Sequence, residues 1–511
     1  MYYLSNICRE SINKKGIMAF KNNFQTHYIC EIEKDPEVKT PQIISRTMSS
    51  VLWVSFVVNI LTLSYFYPNI PEWTFGNLFK IDGFTILIWS TVTFFSALIS
   101  SYSNTYLKGF KYQSKFMILC FGFTILVMLF VMSNHILILI TSWLLMGFLM
   151  SRLIGVDKDW GEAREASKFT QRYFLAGAVF LGAGLSLLAF QLDTFLVSDL
   201  ILQINTAPHY IVFISSLCII TAAVIQSAIY PFHRWLLSAM TSPTPASALM
   251  HAGFVNGSGM LLAIFATLIF ASNTQDILLI IGGLTAILAQ FTKLIQVNVK
   301  QKLACSTIAQ MGFMIMQCGL GFYNAAVVHL ILHGFYKAYL FLSSGEEIKH
   351  SAPKKTEEIR IRPLQAFVVL IFGALAALFF SFITGKGTTL DSGVFLTLIV
   401  AITVGQVTYN MIKEKSLSTV QKLIVPPVLF MLGIGAYGLM YNVVTNIMST
   451  MPMVHHALPL STLQIVFGMI FLIGFFIMKL GVYKRIPWLY VKLMNVSQPY
   501  KKTVLMYKSN S

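Results

Sequence analysis

The sequence predicts an all-α polytopic membrane protein with about 14 transmembrane helices. Of its 511 residues, 56% are hydrophobic and only 11% are charged, and the mean hydropathy is +0.70. Soluble domains carry about 25% charged residues. The apolar runs are about 20 residues long, which suits helices that span the hydrocarbon and not the ten-residue alternating strands of an outer-membrane barrel.

The distribution of basic residues supports this count. The predicted spans are approximately 50–67, 83–102, 115–132, 134–151, 173–190, 210–230, 245–271, 277–296, 303–320, 325–343, 364–383, 393–412, 423–445 and 457–480. Loops after odd-numbered spans hold only Lys80 and Lys386, whereas the other loops are rich in Lys and Arg. Because cytoplasmic loops concentrate Lys and Arg, the alternation predicts that both termini are cytoplasmic. The expected location is a bacterial inner membrane. The net charge of +17 therefore marks orientation and not nucleic-acid binding.

The chain divides into six predicted segments. They are a polar cytoplasmic extension (1–48), N-terminal transmembrane helices (49–114), a first repeat (115–271), a second repeat (277–412), C-terminal transmembrane helices (413–480) and a basic cytoplasmic tail (481–511). The extension lacks the apolar core of a signal peptide. We assign it no function.

Motifs for several common chemistries are missing from the sequence. Its six cysteines form no CxxC pair, which argues against a metal site or a disulfide framework. No nucleotide-binding fingerprint is present, so ATP is not expected to be the direct energy source. The sequence predicts a transport subunit with no cofactor and no enzymatic activity of its own.

The most informative stretch is AAVVHLILHGFYKAYLFLSSG, residues 325–345. Within this apolar span His329, His333 and Lys337 follow one another at steps of four. A helix places them on one face over about 12 Å. Ionisable groups in the centre of a span are costly and usually functional, and histidine titrates near neutral pH, so the series indicates a proton path. In the alternative interpretation, the histidines make interhelical hydrogen bonds and the lysine reaches an interface.

Two stretches predict broken helices. In QSAIYPFHRWLLSAMTSPTPASALMHA (226–252), Pro231 ends one helix, His233 to Met240 forms a short amphipathic helix suited to the interface, and Pro245 starts the next. In the second stretch, Lys386 stands between Gly385 and Gly387, either beside an internal cavity or in an ordinary external loop. His251 lies in the helix that follows the first break. It either relays protons or makes a hydrogen bond that packs two helices together.

Three stretches resemble the antiporter-like subunits of respiratory complex I and of Mrp antiporters. They are SAIYPFHRWLLSAMTSPTPASALMHAG, NVKQKLACSTIAQMGFMIMQCGLG and HLILHGFYKAYLFLSSGEEI, and the resemblance covers roughly residues 140–390. It implies two inverted five-helix repeats, each with a broken helix and a half-channel, joined by a polar axis. The positions that match its proton-path residues are His251, Lys300, His329, His333, Lys337 and Lys386.

The sequence departs from this pattern in the first repeat. Where the family has Trp-Glu, this chain has Trp143-Leu144, and Gln226 replaces a lysine. These departures, and the short stretch after the last span, resemble the membrane subunits of two-component inorganic-carbon accumulation systems. That resemblance implies that protons, or Na+, drive conversion of CO2 to bicarbonate in a DabA-type zinc partner related to β-carbonic anhydrase. Because Leu144 and Gln226 replace the first-repeat pair, we expect one conducting half, with the first repeat acting as scaffold or docking surface.

Two alternatives remain open at this stage. The first is a cation/proton antiporter subunit of a Mrp-like or complex I/hydrogenase-like assembly. The second is a transport-inactive membrane anchor. In each case the expected surroundings are membrane lipid and a heteromeric complex, with no nucleic acid.

Overall fold

The computed structural model describes residues 42–344, 363–413, 418–454 and 456–504. Most of the predicted N-terminal extension, nearly all of the basic loop 344–362 and the end of the tail lie outside these residues. The described chain is almost entirely helical. The long helices are α1 (Gln42–Phe66), α2 (Gly83–Tyr106), α3 (Gln113–Met132), α4 (Ile136–Ile154), α5 (Gly161–Leu192), α7 (His209–Gln226), α12 (Gln275–Ile295), α13 (Val299–Gly319), α14 (Tyr323–Leu342), α15 (Pro363–Thr384), α16 (Gly393–Lys413), α17 (Thr419–Ile447) and α18 (Thr462–Leu480).

The shorter helices lie between the long ones or after the last of them. They are α6 (Val197–Gln203), α8 (Arg234–Ser238), α9 (Thr244–Ala252), α10 (Gly257–Ile264), α11 (Ala266–Ala271), α19 (Val482–Arg485) and α20 (Pro487–Val496). Every predicted span overlaps a helix or the series α9 to α11. Ten spans in the described chain are long and apolar enough to cross a membrane, so the polytopic α-helical class is confirmed while the number fourteen stays a prediction.

A β-hairpin between α1 and α2 was not predicted. Strands β1 (Trp73–Phe75) and β2 (Phe79–Ile81) pair antiparallel, with Phe75 opposite Phe79. Gly76 and Asn77 turn the chain with φ values of 56° and 59°, a left-handed conformation that these two residue types tolerate. The backbone N–H of Asn134 donates to the carbonyl of Leu78 at 2.8 Å, which attaches the hairpin to the connection between α3 and α4.

Small residues bring α12 and α13 close together. A Cβ on Gly282 would lie 2.6 Å from the Gly312 carbonyl oxygen, and a Cβ on Gly312 would lie 2.7 Å from the Ala286 nitrogen. Both distances are shorter than a van der Waals contact, so only glycine fits at this crossing. Close approach through small residues is the usual means of packing helices where lipid surrounds them.

The first break differs from its prediction in two respects. Helix α7 ends at Gln226, five positions before Pro231, and the chain then turns until α8 begins at Arg234. The segment around α8 is not an interfacial helix with one free face, because Trp235, Leu236 and Leu237 are all at most 1% exposed. Trp235 packs edge-on against Phe174 of α5 with ring centroids 4.8 Å apart. Neighbouring helices thus cover residues that the sequence pattern assigned to a membrane surface.

The chain after α18 crosses one end of the helix bundle. Leu493 of α20 is buried with Ile295 at the end of α12. Further along, the backbone N–H of Tyr500 donates to Ser238 Oγ at 2.9 Å, and its ring stacks on Phe169 of α5 with centroids 4.4 Å apart. This C-terminal segment, residues 482–504, therefore connects helices of both predicted repeats.

Candidate ion path

Helix α14 presents the predicted histidine–lysine series to the interior. His333 is 4% exposed and Lys337 is fully buried, while His329 is partly exposed and borders a cavity. The rings of His329 and His333 lie nearly parallel with centroids 5.9 Å apart. The ammonium of Lys337 donates a hydrogen bond to the carbonyl of Leu303 on α13 at 3.1 Å. The alternative interpretation of the sequence required Lys337 to reach a membrane interface. In the structure its ammonium is instead buried between α13 and α14.

His251 meets this series from the opposite helix. It is fully buried near the end of α9, and its Nδ1 lies 2.9 Å from Thr307 Oγ1 of α13. Its ring stacks on Phe341 of α14, with centroids 4.3 Å apart. The chain leaves the helical path between α9 and α10, where Asn256 donates to the Ala252 carbonyl at 2.8 Å. The structure thus places His251 on the α13–α14 contact that also holds Lys337.

Lys300 occupies the first turn of α13, toward one end of the same region. Its ammonium donates to the carbonyl of Ser242 at 2.9 Å, and the neighbouring Gln301 donates to the Leu237 carbonyl at 3.0 Å. Lys300 and Thr307 are seven residues apart, or about 10 Å along the helix. Lys300 is therefore on the same helix as the partner of His251 but does not contact His251 itself.

Lys386 is buried although it lies in a loop. Helices α15 and α16 are 22 and 21 residues long, so the second break separates two full-length helices instead of interrupting one. The lysine is nevertheless only 4% exposed, which excludes the solvated external lysine considered above. Its ammonium lies 3.9 Å from the ring centroid of Phe322 and 4.2 Å from that of Tyr441.

The first predicted repeat has no buried lysine among its described residues, and Leu144 and Gln226 stand where the family has glutamate and lysine. Gln226 is buried and donates to the Phe254 carbonyl at 3.4 Å, and Leu144 points outward with 36% exposure. Trp143 lies between them in the core, 2% exposed. Among the described residues of this repeat, the buried ionisable side chains are His233, His251 and Cys120. The position of the missing glutamate is thus an outward-facing leucine.

Four polar atoms of the predicted path residues have no hydrogen-bond partner within the described chain. They are Nε2 of His251, His329 and His333, and Nζ of Lys386. Burying a polar atom unpaired costs free energy, so such atoms usually serve a purpose. The described residues contain no group of three or more His, Cys, Asp or Glu side chains that could hold a metal ion.

A cavity of about 440 Å³ lies among α12 to α18, with His329 in its wall. Most of the lining is apolar, but Gln317 and Tyr437 also face it. The sequence analysis did not identify these two residues. The sequence does carry a pattern that points to Gln317, because Gln310 and Gln317 are seven residues apart and so lie on one face of a helix. In the structure both line the cavity.

Comparison with known proteins places this arrangement in a family. The family described as "NADH:quinone oxidoreductase/Mrp antiporter, TM" matches residues 133–420. A "Probable inorganic carbon transporter subunit DabB" of Bacillus anthracis is 36% identical over 308 residues, 58% of this chain and 59% of that protein. A DabB2 subunit of the same description, from Halothiobacillus neapolitanus, is 30% identical over 373 residues, 71% of this chain and 66% of that one.

The matched stretches cover 59%, 55% and 63% of three DabB relatives, so this chain spans little more than half of their length. Among solved structures, the Mrp complex from Dietzia sp. superposes with a TM-score of 0.61 at 18% identity, covering 89% of this chain and 57% of the other. All predicted path residues fall inside the matched segment 133–420. The chain therefore belongs to the family of NADH:quinone oxidoreductase and Mrp antiporter transmembrane subunits.

Proposed function

We propose that this protein is the cation-conducting membrane subunit of an inorganic-carbon accumulation complex. The DabB names of its relatives support the carbon role. The series His329, His333 and Lys337 supports conduction, because the last two are buried and His329 borders a cavity. The partner is a DabA-type zinc protein that converts CO2 to bicarbonate. The complex lies in a bacterial inner membrane, with both termini of this chain on the cytoplasmic side.

The conducted ion is a proton. The polar side chains along the path are nitrogen bases, which bind and release protons, and Na+ is the alternative that the experiment below tests. The proton enters from outside near Lys386 and passes His329, His333 and Lys337. His251 and Lys300 continue toward the cytoplasm. A membrane potential supplies about 2.3 kcal/mol per charge per 100 mV, which biases a coupled hydration reaction toward bicarbonate.

Only the second repeat conducts in this proposal. Leu144 and Gln226 replace the glutamate and lysine of the first half-channel, and Leu144 faces outward. The first repeat then serves as scaffold or docking surface. The inactive-anchor alternative explains the loss of this pair equally well, but it gives no reason to keep a fully buried, charged Lys337 in the second repeat.

The proposal is tested by growth of a host that lacks carbonic anhydrase at ambient CO2. The chain is expressed with its partner gene as wild type, His333→Ala, Lys337→Ala and Lys302→Ala. The last variant is the matched control, because Lys302 lies in the same turn of α13 as Lys300 but is exposed. We expect growth with wild type and Lys302→Ala, and at least tenfold slower growth with the other two at equal membrane levels.

Each alternative predicts a different result. Growth with all four variants would contradict the ion path while leaving the carbon role. Growth with none, from an assembled complex, would favour the antiporter subunit, which predicts Na+-dependent growth instead. Loss of growth on adding a protonophore, but not on removing Na+, identifies the proton as the driving ion.

A further inference from the structure

The path described so far has a gap between Lys386 and His329. We propose that Phe322 and Tyr441 are positioning residues that hold the Lys386 ammonium at the outer end of the path, and that Tyr441, Tyr437 and Gln317 connect it to the cavity at His329. This inference rests on the proposed function and specifies how a proton enters the second repeat.

The ammonium of Lys386 is held by two ring faces. It lies 3.9 Å from the Phe322 centroid and 4.2 Å from the Tyr441 centroid, well inside the 6 Å within which an aromatic face attracts a cation. Its Nζ makes no hydrogen bond within the described chain. A buried cation without such bonds is costly, so the two rings, together with the negative charge of nearby Asp391, stabilise the charge at this place. We call this arrangement the aromatic box.

The backbone around the box is fixed on several sides. Gly385 and Gly387, with φ values of 67° and 74°, turn the chain on either side of the lysine. Ser392 Oγ donates to the Leu320 carbonyl at 2.9 Å, two residues before Phe322. Asn324 Nδ2 donates to the hydroxyl of Tyr441 at 3.0 Å. The lysine loop and both rings are therefore positioned relative to one another by direct contacts.

The box leads to the cavity through α17. Tyr441 and Tyr437 are one helical turn apart, with nearly parallel rings whose centroids are 6.4 Å apart. Tyr437, Gln317 and His329 all line the cavity, and Gln317 Oε1 and His329 Nε2 have no partner within the described chain. A cavity of about 440 Å³ has room for several water molecules between such polar groups.

The proposed step conserves protons and charge. Lys386 releases one proton from its ammonium toward the cavity, where it passes by way of the hydroxyl and amide groups to His329. The neutral amine then takes one proton from the outer side, which restores the ammonium in the box. No oxidant, reductant or further reactant takes part.

The test is a double-mutant cycle on proton flux. The assembled complex is reconstituted in proteoliposomes under an imposed membrane potential, as wild type, Lys386→Met, Tyr441→Leu, Tyr441→Phe and the double Lys386→Met/Tyr441→Leu. Two cation–π contacts favour the ammonium in the box by a factor of about ten or more. We therefore expect Lys386→Met and Tyr441→Leu each to lower the proton flux by about tenfold. The double variant should be no slower than Lys386→Met alone, because the ring acts only through the lysine.

Tyr441→Phe separates the ring from the hydroxyl. It keeps the box, so flux should fall less than with Tyr441→Leu, and flux equal to wild type would remove Tyr441 from the proton route. Tyr65→Leu, at a ring that is 82% exposed on α1, is the control for loss of an aromatic side chain. If the loss of flux in the double variant equalled the product of the two single losses, Tyr441 would act independently of Lys386 and the aromatic box would be refuted. An assembled wild-type complex without flux would instead refute the proposed function itself.

Discussion

Replacing Lys337 by methionine separates a conducting role from a structural one. The substitution removes a fully buried ammonium and keeps a side chain of similar length, so it leaves little cavity. The main lost interaction is the hydrogen bond from the ammonium to the Leu303 carbonyl, a class worth about 1.5–3 kcal/mol. A long contact with the Tyr336 ring, 5.6 Å from the ammonium to the centroid, is lost with it. The carbonyl does not become unpaired, because the hydroxyl of Thr307 also donates to it at 3.2 Å.

The opposing contribution is the burial of the charge. An ion taken out of water costs several kcal/mol even after the protein relaxes, and no carboxylate among the described residues forms an ion pair with Lys337. The two contributions are of similar size. We therefore expect the free energy of unfolding of Lys337→Met to change by less than about 1 kcal/mol, or to increase, while proton flux is lost.

The assay compares thermal unfolding in detergent with flux in proteoliposomes. Gly334→Ala is the matched control on the same helix, because its new methyl group would collide with the ring of the buried Phe95 without altering any ionisable group. Overpacking of this kind costs about 1–3 kcal/mol. If Lys337→Met lowers the unfolding temperature as much as Gly334→Ala does, and lowers proton flux by no more than that control, then Lys337 has a structural role and its conducting role is refuted.

Three further predictions concern parts of the chain away from the path. Asp82→Ala should lower the free energy of unfolding by about 1–2 kcal/mol, because Asp82 caps the start of α2. Its carboxylate accepts hydrogen bonds from both the backbone N–H and the hydroxyl of Thr85, each at 2.9 Å. An unchanged unfolding midpoint would contradict this capping role. Tyr500→Ala should cost about 0.5–1.5 kcal/mol through its stack on Phe169, and combining it with Phe169→Ala should add little. Burial lowers the pKa of His233 from 6.5 to about 4, so the unfolded chain binds more protons between these values. Stability should therefore fall as the pH drops from 6.5 towards 4, and His233→Gln should show a smaller fall in unfolding midpoint.

Much of the helical fold could be predicted from the sequence. The thickness of the bilayer fixes the length of the apolar runs, and its two sides differ in the Lys and Arg content of their loops. The face of α14 could be predicted for the same reason, since steps of four residues fix three side chains on one side of a helix. The burial of Lys386 could not. Its flanking glycines indicate a turn, but only the positions of Phe322, which directly precedes α14, and Tyr441 of α17 decide whether the lysine meets water or aromatic rings.

The hairpin and the α8 segment show the same limit. Three-residue strands carry too little alternation to be distinguished from a loop, although Gly76-Asn77 is a recognisable turn. An amphipathic pattern in residues 233–240 does not say whether lipid or protein covers its apolar side. In this chain α5 covers it, through Phe174 against Trp235.

The C-terminal segment also has a consequence for biogenesis. Its contacts join residues that are far apart in the chain, since Tyr500 and Ser238 are separated by 262 positions. A chain emerging from the ribosome inserts its helices in order, yet these contacts can form only after residue 500 has been synthesised. The contacts of Tyr500 with Ser238 and Phe169 therefore form after all the long helices have been synthesised. A partner subunit that bound this region would have access to it before the chain's own last residues did.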